Sequence, residues 1–276
     1  MHSLSKYVKE ILLYALLGIL TFVFIGPFVG SLSLSFQEPG NVFSWPLHLW
    51  PDNFTLRNYS DIWTTVPFPR WLFNSTLIAI IVTCCNLFFA SLAGYAFARL
   101  RFAGKNLIFM LFLASLMVPA HVTMIPQFIL LNDAHLINTY EGMFLPKMAQ
   151  VFGIFLMKQF FESVPKELEE AAEIDGCSKF KTLWKIIVPI SKPALVALGI
   201  YTFQGNWNEF LWHLIVTTSR NMFTLPVGMA YFRHEFKVDW TILMAGVIMM
   251  AIPTLTIFVV FQRYFIQGVA ATGLKE

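Results

Sequence analysis

The chain reads as an all-α membrane protein with six transmembrane helices, and three observations predict it. Of its residues 57% are hydrophobic and only 13% charged, about half the roughly 25% charge of soluble chains. The charges are spaced so that six windows of about 20 apolar residues lie between them, each long enough to cross a hydrocarbon core of about 30 Å. The lysines and arginines then sort to one side of those windows.

The windows run in order along the 276 residues. No charge lies between Glu10 and Glu38, which predicts span one over residues 11–34. Lys6 and Lys9 precede it, but its apolar run exceeds the about 7–15 residues of a signal-peptide core, so it reads as a retained span. Arg70 and Arg99 bracket span two (71–97), and Lys105 and Asp133 bracket span three (107–130), which Pro119 and Pro126 interrupt. Span four (142–161) is the weakest, because it contains Lys147. Lys192 and Arg220 bracket span five (194–217), and Asp239 and Arg263 bracket span six (241–262). The whole chain reads as one polytopic domain.

Thirteen of the 19 lysines and arginines, from Lys6 to Lys275, fall on one side of this arrangement. Arg57, Arg70, Arg220, Arg233 and Lys237 fall on the other, and Lys147 lies within span four. The bias places both termini inside, with residues 35–70 and 218–240 as outer loops. Trp45, Trp50, Trp63 and Trp71, in or beside the first of these loops, read as interfacial anchors. A net charge of +3 is too small to argue for nucleic acid. Cys84, Cys85 and Cys177 form no disulfide or zinc pattern, and the six histidines have no ligand spacing, so no metal is expected.

Residues 162–192 form a long, strongly charged inner loop. Ser163 and Pro165 suit a helix start, acidic residues crowd the early turns, and Gly176 stands where a helix ends left-handed. A second short helix is expected from about Ser178 to Ile187, stopped by Pro189 and Pro193. Most charge runs are solvated faces, but Leu168, Ala171, Ala172 and Ile174 add a small apolar surface that suits a partner's groove.

Glu170-Ala171-Ala172, then Gly176, Ile186 and Val188-Pro189 at their spacing, resemble the EAA motif of ABC importer permeases, with Val188 where that family prefers Leu. Asn74-Ser75, the run Ala93 to Arg99, Met117-Val118-Pro119, Trp207-Asn208-Glu209-Phe210 and Gln262 to Phe265 resemble carbohydrate-uptake permeases, in particular the smaller permease of maltose-type transporters. The resemblance implies a type I ABC importer permease architecture with a core over residues 70–263, in a bacterial plasma membrane. It implies that Glu170, Ala171, Ala172, Gly176, Ile186 and Pro189 couple to an ATPase. The implied partners are a second permease subunit, a cytoplasmic ATP-binding dimer, an extracytoplasmic sugar-binding protein and lipid. ATP and magnesium would sit on the ATPase subunits. The chain has no G-x-x-x-x-G-K-[ST] loop of its own, so no ATP hydrolysis and no cofactor are expected in it.

Span five holds the densest polar set: Tyr201, Thr202, Gln204, Asn206, Asn208, Glu209 and His213. At about 100° per residue these occupy roughly 200° of the helix wheel. One reading is a sugar pathway contacted by Tyr201, Gln204, Asn208 and Glu209, with His121 on the bent span three; the other is interhelical hydrogen bonding. Glu209 falls toward the outer leaflet, where a carboxylate could simply meet water. An ion-coupled transporter or channel would need charges at the midplane, and few are present. An integral-membrane enzyme would need a catalytic constellation, and none stands out. Within the importer reading, another polar solute such as glycerol phosphate stays open.

Overall fold

The computed structural model describes residues 2–38, 50–51, 53–235 and 239–273, with side chains in 2–6, 233–235 and 263–273 left aside. Trp45, Lys237 and Lys275 lie outside the described residues, as do the side chains of Lys6, Arg233 and those from Arg263 to Phe265. Among the described residues every regular element is helical. In chain order they are α1 (His2–Ser35), α2 (Arg57–Thr65), α3 (Phe68–Arg99), α4 (Lys105–Ser115), α5 (Ala120–Asp133) and α6 (Tyr140–Phe144). There follow α7 (Val151–Ser163), α8 (Glu167–Ile174), α9 (Lys179–Thr182), α10 (Val188–Ile190), α11 (Lys192–Trp207), α12 (Leu211–Val216), α13 (Leu225–Glu235) and α14 (Trp240–Gly273).

Among the described residues, three stretches are single helices long and apolar enough to cross a membrane: Tyr7–Ser35, Phe68–Arg99 and Trp240–Gln262. They match expected spans one, two and six. Expected span three is α4 and α5, bent by 98°, and α11 meets the segment Lys179–Ile190 at 81°. Counting each bent pair as one span gives up to five. Expected span four is not one helix. It is α6, a 3₁₀ turn over Leu145–Lys147 and, after an extended Gln150, the 13-residue α7. Span five also breaks, at Asn208, and resumes as α12.

Each break has a local cause. Pro119 cannot donate a helical hydrogen bond and biases Val118 away from helix, so α4 ends before it and α5 begins after it. Pro126 sits inside α5 without ending it. Pro189 does not stop the second loop helix as expected, because a π turn over Leu183–Ile187 widens the backbone ahead of its ring, and the chain bends at Ser191 instead.

The chain divides into two compact units, Met1–Phe68 with Met229–Ile252, and Pro69–Gly228 with Pro253–Glu276. In the first, the apolar window of α1 has no buried residue; Leu12, Phe22 and Phe24 all lie exposed. Its end is tied down by buried Asn58, which donates to the Ser35 and Gln37 carbonyls at 2.9 and 2.8 Å and accepts from Thr241 at 3.0 Å.

In the second unit, α3 crosses α7 so closely at Gly94 that a Cβ there would lie 2.8 Å from that of Met157. Ala90, Tyr95, Met157, Phe161, Leu183, Ile187 and Leu198 form a core around that crossing. Asn74 and Ser75 pin the segment after α12. The Asn74 amide donates to Asn221 and Phe223 at 2.8 and 2.9 Å, and Ser75 accepts from the Leu225 N–H at 2.7 Å. Trp71 is buried and donates to the Arg220 carbonyl, so it is a core residue, whereas Trp50 and Trp63 are exposed. The expected outer loop 218–240 is therefore held at its start and contains α13.

Candidate functional site

A cavity of about 670 Å³ lies beside the breaks before α5, between α6 and α7, and between α11 and α12. All five residues expected on a pathway line it: His121 from α5, Tyr201 and Gln204 from α11, and Asn208 and Glu209 from the break before α12. Gln127, Lys147, Gln150 and Trp212 line it as well. Amides, hydroxyls and aromatic rings dominate the wall, which suits hydroxyl-rich solutes that exchange hydrogen bonds with water for hydrogen bonds with protein.

The polar face of span five splits into two parts. Tyr201, Gln204 and Asn208 are exposed, whereas Thr202, Asn206 and His213 are buried. Thr202 accepts from the amide of Asn86 on α3 at 2.9 Å, and the Asn206 amide donates back to the Thr202 carbonyl at 2.7 Å. Interhelical bonding thus accounts for Thr202, while the exposed amides face the cavity. Glu209 does not simply meet water: its Oε2 pairs with Lys147 Nζ at 2.5 Å, and its Oε1 accepts from the Trp212 backbone N–H at 3.1 Å.

Asn86 was absent from the expected site, yet it holds two walls of the cavity. Its amide N–H reaches Thr202, and its Oδ1 accepts from the Gln150 backbone N–H at 3.0 Å, capturing the extended residue ahead of α7. The signal was available: an amide near the middle of the apolar run 71–97 is costly in a span unless it is bonded. Among the described residues no group of three or more His, Cys, Asp or Glu converges as a metal site.

The second candidate surface is α8. Its start differs from the expectation: Ser163 ends α7 and bonds back to the Phe160 carbonyl, Pro165 lies in the link, and Lys166 stands at the N-cap. Its end matches. Gly176 has φ +78°, and the N–H groups of Gly176 and Cys177 donate to the Glu173 and Ala172 carbonyls at 3.0 and 2.9 Å. This is a Schellman closure, which a left-handed glycine permits. Lys179 pairs with Glu173 across the turn.

One side of α8 is locked to its own chain. Arg99, at the end of α3, pairs through Nε with Glu169 Oε1 at 2.7 Å, with both side chains under 10% exposed. Tyr95 donates to Glu169 Oε2 at 3.0 Å, and Arg99 also donates to the Val164 carbonyl. Ala172 is on this buried side, so it does not belong to the outward surface expected of it. The outward side carries Leu168, Glu170, Ala171 and Ile174, the last 87% exposed. Pro189 is exposed and Ile186 half-buried. The sequence singled out Glu170 but not Glu169, because only the fold brings Arg99 and Tyr95 to that carboxylate.

The chain is similar to known proteins over most of its length. The family described as "Binding-protein-dependent transport system inner membrane component" matches residues 86–271. The arabinooligosaccharides transport system permease protein AraQ of Halalkalibacterium halodurans is 38% identical over 226 residues, 82% of this chain and 81% of the relative. The sn-glycerol-3-phosphate transport system permease protein UgpE of Yersinia enterocolitica is 32% identical over 261 residues, 92% of each chain. In fold, the chain resembles a bacterial ABC transporter involved in import of the acidic polysaccharide alginate. The TM-score is 0.88 at 24% identity, over 95% of this chain and 98% of that one.

Proposed function

The chain belongs to the binding-protein-dependent transport system inner membrane components, and on that premise we propose that it is one permease subunit of an ATP-driven importer of a sugar or oligosaccharide. Its role is transport rather than catalysis, and family membership sets aside the ion-coupled transporter and the membrane enzyme. The observation that carries the sugar reading is the cavity wall, in which Tyr201, Gln204 and Asn208 present hydroxyl and amide groups beside His121. Relatives named for oligosaccharide transport support it.

In this reading a second permease completes the path and a binding protein delivers solute from outside. An ATPase dimer docks on the outward side of α8, whose Leu168, Ala171 and Ile174 form a small apolar ridge next to Glu170. Gly176 sets the turn that follows. Closure of the ATPase then moves α8, and the Arg99–Glu169 pair carries that movement into α3.

The test is transport by the assembled complex in vesicles. Replacing Gln204 or Asn208 by Leu removes a hydrogen-bonding group from the wall without touching the buried Asn86–Thr202 bond. Uptake is expected to fall about tenfold or more while assembly and basal ATPase activity persist. Unchanged uptake by both variants would remove the cavity from the path.

A further inference from the structure

Resting on the reading of the cavity as part of the sugar path, we propose that the Lys147–Glu209 pair makes it selective for uncharged sugars over those bearing carboxylate or phosphate. Family membership leaves this open, since the chain resembles permeases named for both kinds of solute. The wall itself argues the case. Its formally charged side chains are Lys147 and Glu209, which meet at 2.5 Å with 21% and 26% of their side chains exposed. The carboxylate is committed twice, since its other oxygen accepts from the Trp212 N–H at 3.1 Å. His121 on α5 and Tyr201 on α11, both exposed, are the other titratable side chains in the wall.

An anionic sugar entering this wall gives up water and finds no free cation. The lysine that would attract it is already neutralised, and the carboxylate beside that lysine repels it. A neutral sugar exchanges hydrogen bonds with Gln204 and Asn208 at little cost. Glu209 is therefore a specificity-determining residue, acting by occupying Lys147. Removing its charge leaves a half-buried ammonium unpaired beside the cavity, and the same wall then favours an anion.

Position 205 offers a reporter inside the cavity, because a Cβ at Gly205 meets nothing within 4 Å. In the full transporter complex, with Cys84, Cys85 and Cys177 replaced by Ser, Gly205→Cys is labelled with a maleimide in the presence of arabinotriose or trigalacturonate. In the parental pair, arabinotriose should slow labelling and trigalacturonate should not. With Glu209→Gln, trigalacturonate should protect at a concentration about tenfold lower than it needs with Glu209 present. Adding Lys147→Met should abolish that gain, which separates attraction by the lysine from a general loosening of the site. Equal protection by both sugars in the parental complex overturns the proposal, as does a Glu209→Gln variant that gains nothing. If neither sugar protects any variant, the cavity is not on the path, and the proposal falls together with the reading beneath it.

Discussion

At position 169 a carboxylate under 10% exposed faces Arg99 at 2.7 Å and accepts a second bond from Tyr95 at 3.0 Å. Breaking such a pair by removing one partner strands a buried charge, at a cost of about 3–5 kcal/mol. Arg99→Met is therefore expected to lower the thermal stability of the solubilised complex. The double change Arg99→Met with Glu169→Met should recover most of it, because an apolar pair of similar size leaves no stranded charge. Stimulated ATPase activity and transport should stay low in that double variant if the pair transmits movement, since apolar contact is a weaker tether than a bridged guanidinium. Full recovery of transport alongside stability would reduce the pair to a packing device. Gly176→Val tests the same unit from its other end, because a β-branched side chain at φ +78° strains the turn by about 1 kcal/mol or more.

The elements divide into those that composition reveals and those that only the fold explains. α1, α3 and α14 were legible because a charge-free window of that length has one stable answer in lipid. The bend before α5 was legible in Pro119, and the end of α8 in Gly176. The breaks at Gln150 and Asn208 were not, because neither residue is itself a proline or a glycine. They depend on side chains far away in sequence: Asn86 captures the Gln150 N–H, and Lys147 holds Glu209, whose carboxylate captures the nearby Trp212 N–H. The start of α8 was misread for a related reason. Ser163 has a cap residue's chemistry, but α7 runs through it, and its hydroxyl turns back to Phe160. If Asn86 holds the breaks open, Asn86→Leu leaves the Gln150 N–H unpaired and Thr202 without its donor. The expected cost is about 1–3 kcal/mol, read as a lower melting temperature. Transport should fall with it while the ATPase subunits still bind, since α8 is held by the separate Arg99–Glu169 contact.

For the molecule as a whole, the remaining question is which way it sits in the membrane. The coupling reading requires α8 to face the ATP-bearing side, and the charge bias independently puts residues 162–192 there. Thirteen lysines and arginines share that side, against five on the other. These arguments use different residues: the first rests on Leu168, Ala171 and Ile174, the second chiefly on the basic residues around the spans. Single cysteines at Ser60 and Asn221, both exposed, probe the predicted outside, and one at Phe180, 62% exposed, probes the predicted inside. In intact cells, with the native cysteines replaced by Ser, a membrane-impermeant maleimide should label positions 60 and 221 and spare 180. The reverse pattern would turn the chain over and place α8 where no ATP is available, removing both the orientation and the docking role of α8. Labelling at 60 and 221 with protection at 180, relieved when the ATPase subunits are stripped from opened membranes, would join the two arguments in one measurement. Phe180 lies on α9, which Lys179 ties to α8 through Glu173, so a subunit seated on α8 should shield it.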